Sequence, residues 1–171
     1  MARGIALLLA LLALTGCYSS LDPVIETGDA IDIAGKYRCV ETGNGRVFTL
    51  DFRENKQGNF FPAYSYAANG KIYKFLKIDA ATYIGQEGDE RNKLLHLFFV
   101  QMSGRTAMVR VPDLEAHATA IEDAMQASHV NVAGRTGHDT ILIEGTPAEK
   151  IAFLKRLSPS LLREAATCAP R

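Results

Sequence analysis

Four histidines, three cysteines and a few paired carboxylates are the residues of this 171-residue chain that could do chemistry. His138 and Asp139 stand side by side and could orient a ligand, or serve a hydrolase whose other site residues are dispersed along the chain. His117 and His129 are separated by a little over three helical turns, about 18 Å, too far to share one metal ion. His96 lies inside an apolar run, where a hydrogen-bonded core residue is the usual outcome. Neighbouring carboxylates at Asp89-Glu90 and Glu122-Asp123 do not converge on one substrate in a helix and are solvated in a loop. Gly134-Arg135-Thr136-Gly137 lacks the Lys-Ser/Thr ending and the following helix of a phosphate loop, so a plain loop explains it better. There is no Gly-x-Ser-x-Gly elbow, Walker loop, His-Glu-x-x-His helix or Cys-x-x-Cys pair. The sequence therefore nominates no catalytic residue, no metal ligands and no cofactor.

Nineteen basic residues balance nineteen acidic ones, so no net field argues for nucleic acid. Lys71, Lys74 and Lys77 alternate with Tyr73 and Phe75, a pattern seen on nucleic-acid-binding strands. In a chain without net charge, lysines protecting a sheet edge account for them better, with an anionic ligand as the alternative. With 47% hydrophobic and 22% charged residues, the composition is that of an ordinary globular domain. Trp is absent, which removes one common sugar-stacking platform.

The N-terminus carries the most specific signal. Arg3 precedes an uncharged apolar run over residues 5–14, long enough for a signal-peptide core but only about half of a hydrocarbon thickness of roughly 30 Å. The run ends in Leu14-Thr15-Gly16-Cys17, which resembles the lipobox of bacterial lipoproteins. That resemblance implies removal of residues 1–16, a diacylglycerol on the Cys17 thiol and acylation of the new N-terminus. Tyr18 stands where many inner-membrane lipoproteins carry Asp, which implies the outer membrane, facing the periplasm. Residues 17–33 then read as a lipidated N-terminus and flexible tether, mixing small, polar and turn-forming residues without a period.

With Cys17 assigned to lipid, Cys39 and Cys168 remain. An even pair in an oxidising compartment favours a disulfide, against the alternative of two separate thiols.

Residues 34–171 read as one α+β domain. An antiparallel β meander over 34–112, a curled sheet or partial barrel, precedes an α-rich segment over 113–171 packed on it. In 46–54, Phe48, Leu50 and Phe52 alternate with Val47, Thr49, Asp51 and Arg53, giving one wet face. Thr42-Gly43-Asn44-Gly45 and Asn69-Gly70 are hairpin turns. Residues 94–102 are nearly all apolar, as for a strand covered on both faces. Asp113 caps a predicted helix to about Ser128, and 140–144 is a further strand. Thr146-Pro147-Ala148-Glu149 forms a capping box for a second helix, followed by a short one running towards Cys168.

These elements support a membrane-anchored, non-enzymatic envelope lipoprotein that binds a protein or a small apolar ligand. Within that class, Tyr37-Arg38-Cys39, the β body, Asn69-Gly70-Lys71-Ile72-Tyr73 and Cys168 are similar to periplasmic lysozyme inhibitors. The chain departs from that type in its length and its lack of Trp. The alternative from another class is the hydrolase near His138 and Asp139.

Overall fold

The computed structural model describes residues 18–58, 63–89, 92–136 and 140–171. Alternating apolar residues dominate the fold. Strands β2 (Gly35–Glu41), β3 (Val47–Gln57), β4 (Ala63–Ala68), β5 (Lys71–Lys77), β6 (Thr82–Asp89), β7 (Asn92–Ser103) and β8 (Thr106–Pro112) follow one another as antiparallel neighbours. The last strand, β11 (Leu162–Pro170), lies between β8 and β2, and β6 pairs with β7, so these eight strands form a closed antiparallel barrel. Closure removes both sheet edges of an open meander.

The expected α+β fold with a curled sheet and an α-rich C-terminal segment is therefore corrected to a mostly β protein. Among the described residues its helices are α1 (Leu114–Gln126), α2 (Pro147–Arg156) and a 3-10 turn (Pro159–Leu161). The decisive difference is β11, expected as a short helix. It carries good helix formers, but the slot between β8 and β2 offers it two ladders of backbone hydrogen bonds, and that tertiary pairing outweighs propensity. Beyond the barrel, β1 (Tyr18–Ser20) pairs with β7 and β10 (Thr140–Glu144), and β9 (Asn131–Thr136) completes this side sheet. The helix caps form as read from the sequence. Asp113 accepts a hydrogen bond from Ala116 N at 3.1 Å, and Thr146 and Glu149 form a reciprocal capping box.

Two cores result, one on each side of the barrel wall. Phe98 and Val100 of β7 point into the barrel, while Leu97 and Phe99 point out under the helices, so this strand is covered on both faces. The outer core joins Ile84, Leu97 and Phe99 to Ile121 and Met125 of α1, and to Phe153 and Leu154 of α2. Where no helix covers β2 and β3, the outward residues Lys36, Arg38, Thr49 and Arg53 are exposed.

The segment over 18–33 is not a tether. Tyr18, Val24 and Ile25 are buried in the outer core, whereas Ile31 and Ile33 are buried inside the barrel. Gln86 Oε1 accepts hydrogen bonds from Val24 N at 2.7 Å and Ile25 N at 2.9 Å, fixing the strap to the outer wall. Its passage inward lies at the lower ends of β4 and β5, where Tyr64 N donates to Gly28 O at 3.0 Å and Asp29 N donates to Phe75 O at 2.7 Å. Glycine is required at that passage because a Cβ on residue 28 would lie 2.2 Å from Tyr64 O. Inside, Tyr66 Oη both accepts from Ile31 N and donates to Ile31 O, each at 2.9 Å. Ile31 and Ile33 thereby plug one end of the barrel.

Cys39 on β2 and Cys168 on β11 face each other in register and are joined by a disulfide with Cα atoms 4.0 Å apart. It staples the first barrel strand to the last.

Candidate ligand-binding cup

Inward side chains of an eight-stranded barrel can just fill it, or leave room for one small ligand. Here they leave room. A cavity of about 300 Å³ opens at the end opposite the Ile31–Ile33 plug. Its volume follows from residue size. Ala107 of β8, Ala166 and Cys168 of β11 and Cys39 of β2 supply small inward positions, while β3 presents Phe48, Leu50 and Phe52. Those three β3 side chains remain partly exposed although they face inward. Tyr37, Tyr73, Phe75 and Phe98 complete an aromatic wall, with Phe52 edge-on to both Tyr37 and Tyr73.

Polar residues gather at the mouth. Lys71 at the start of β5 forms an ion pair with Glu87 of β6, and both side chains are mostly buried. Arg46 Nε lies 3.9 Å from Glu41 Oε1, and Glu41 Oε2 also accepts from Asn44 Nδ2 at 2.8 Å. Asn69, in the β4–β5 turn, stands beside them and donates from Nδ2 to Thr49 O at 3.0 Å. Burial, reinforced by the charge of Glu87, pushes the Tyr73 phenol above its ordinary range, so it is neutral and hydrogen-bonded to that carboxylate.

His96 sits behind this rim, with Nδ1 3.0 Å from Ser19 Oγ. Burial lowers its pKa, Lys71 adds to the lowering and Glu87 opposes it. Ser19, His96 and Glu87 are the residue types of a nucleophilic relay, but Ser19 is fully buried and does not line the cup, so it presents no accessible nucleophile. The network is a structural one with a pH signature. In the unfolded chain His96 takes up its proton as pH falls through about 6.5, whereas the folded chain resists until lower pH. Stability will therefore fall as pH drops below about 6.5 and level off below the folded value. Urea midpoints at pH 7.5 and 5.5 check this, and His96→Gln will flatten the difference.

The other sequence nominees separate. Cys17, His138 and Asp139 lie outside the described residues. His117 and His129 belong to α1 and the turn after it, away from the cup lining. Among the described residues no group of three His, Cys, Asp or Glu side chains could hold a metal ion. Glu122 and Asp123 are exposed on α1. Arg135 and Thr136, expected in a loop, belong to β9.

The edge-strand reading of the three lysines is overturned, because β5 pairs on both sides, with β4 and β6. Lys71 instead turns into the mouth, and Lys74 Nζ donates outward to Glu26 O at 2.8 Å. The Phe48-Leu50-Phe52 face is legible in the sequence, whereas the rim is not. Lys71 and Glu87 are sixteen residues apart on adjacent strands, and their pairing depends on a register that no local pattern reveals. The usable signal for the cup itself was the small side chains Ala107 of β8 and Ala166 and Cys168 of β11.

Among the described residues no helix is long and apolar enough to cross a membrane. No protein-family profile, curated protein or solved structure matches the chain.

Proposed function

We propose that this protein is a bacterial envelope lipoprotein, anchored through Cys17, whose barrel is a non-catalytic cup for one small apolar or amphiphilic molecule. The observation that carries the reading is the cavity of about 300 Å³ with an apolar wall and a polar mouth. Concave, mostly apolar, preformed cavities with a few placed polar groups are the usual form of small-molecule sites. Burying ten methylenes there is worth roughly 8 kcal/mol, the scale of a micromolar dissociation constant before ordering costs. Because Tyr18 is fully buried, an anchor on Cys17 would hold the barrel close against the membrane, the outer membrane by the leader resemblance, with no slack. Labelled palmitate will enter the wild-type chain and not Cys17→Ser; equal labelling would remove the anchor from the account.

The cup is tested with the chain from residue 17 carrying Cys17→Ser, which retains every described residue. A naphthylamine probe that brightens in apolar surroundings will bind with micromolar affinity. Leu50→Trp grows into the cavity from a half-buried lining position and will weaken binding at least tenfold. Thr49→Trp, on the outer face of the same strand, will not. Equal binding by both variants would place the probe elsewhere.

A second reading, a lysozyme-inhibitor-like protein, is favoured by where its resemblance falls. Tyr37, Asn69, Lys71, Tyr73 and Cys168 all line the cup. Inhibition of a lysozyme by the same preparation, lost in Lys71→Ala, would support it.

A further inference from the structure

The geometry points to a single-chain amphiphile with an uncharged, hydroxyl-bearing head, of the monoacylglycerol type, as the class of molecule the cup takes. This inference rests on the cup reading above and concerns what its mouth selects. The rim holds two cations and two carboxylates, already paired as Lys71 with Glu87 and Arg46 with Glu41. Glu41 and Glu87 are each only 13% exposed, and the Tyr73 hydroxyl packs on Glu87. A fatty-acid carboxylate at Lys71 must either share the ammonium with Glu87, setting two carboxylates side by side in a mostly buried site, or displace Glu87 and leave it without its cation. It would also bring like charge against both glutamates. A cationic head meets the converse problem at Lys71 and Arg46. Hydroxyls face neither penalty. Each rim carboxylate keeps lone pairs beyond those its cation uses, and Asn69 adds an amide, so a glycerol head can donate hydrogen bonds without breaking an ion pair. Size sets the tail. At packing densities between a liquid and a protein interior, 300 Å³ holds one chain of about ten to twelve carbons and no second chain.

The test displaces the naphthylamine probe from the Cys17→Ser chain at pH 7 with dodecanoylglycerol, dodecanoate and dodecyltrimethylammonium, all below their micellar concentrations. Dodecanoylglycerol will displace it at concentrations at least tenfold lower than either charged ligand. Glu87→Gln gives the rim a net positive charge and will move the preference towards dodecanoate. Glu41→Gln does the same from the more open side of the mouth, should the first variant fail to fold. Equal displacement by all three, or a wild-type preference for a charged head, would overturn the head-group inference while leaving the cup intact. Failure of the probe to bind at all would overturn the cup and this inference together.

Discussion

Replacing Cys39 and Cys168 together with Ala will lower the unfolding free energy by about 2–4 kcal/mol and the melting temperature by roughly 10 °C. The size follows from what the bridge encloses. A sequence separation of 129 residues gives about 5 kcal/mol in the chain-entropy relation, and residual structure in the unfolded chain brings typical values down to about 2–4 kcal/mol. The bridge also spans the seam at which the barrel closes, where β2 meets a strand from the far end of the chain. Without it, the β2–β11 ladder must form against the full loop entropy. Thermal melts of the purified chain with and without reductant check the result, and the double variant separates the bridge from other effects of reductant. A melting temperature that ignores both would mean that the seam holds without its staple.

Truncating the outer core where the strap meets α2 will cost a similar amount. Phe153 is fully buried, with its ring edge-on to Tyr18 at 5.1 Å between centroids, and Phe153→Ala will destabilise by about 3–5 kcal/mol. Tyr18→Ala will cost nearly as much, because it removes the other half of the same contact and releases the strap from the wall. In the double variant the two losses will fall short of their sum by about 0.5–1.5 kcal/mol, the usual coupling of an aromatic pair. Gly28→Ala will strike the same strap at its passage through the barrel, since its Cβ has no space beside Tyr64 O. Were residues 18–33 a tether, Tyr18→Ala and Gly28→Ala would be silent in urea denaturation. That outcome would contradict the packing described here.

The sequence was legible where one segment serves one surface. Phe48, Leu50 and Phe52 share a face because β3 has the barrel on one side and solvent on the other, and the continuous apolar run of β7 reflects its two covered faces. It was illegible where a short segment serves two surfaces. Val24 and Ile25 belong to the outer core and Ile31 and Ile33 to the inner one, so the strap has no period to read. The helix formers in β11 concealed a strand whose partners, β8 and β2, lie far away in sequence. Barrel closure was hidden for the same reason, since it depends on that misread strand together with the β6–β7 pairing. The cup had the weakest trace of all. Its lining could be read from alternation, but its emptiness depends on the small side chains Ala107 and Ala166 sharing that lining with the β3 face.

Native mass spectrometry of the Cys17→Ser chain with dodecanoylglycerol tests the hollow barrel most directly. One bound molecule per chain is expected, lost in Leu50→Trp and kept in Thr49→Trp. No adduct, or a ladder of adducts indifferent to Leu50→Trp, would contradict it.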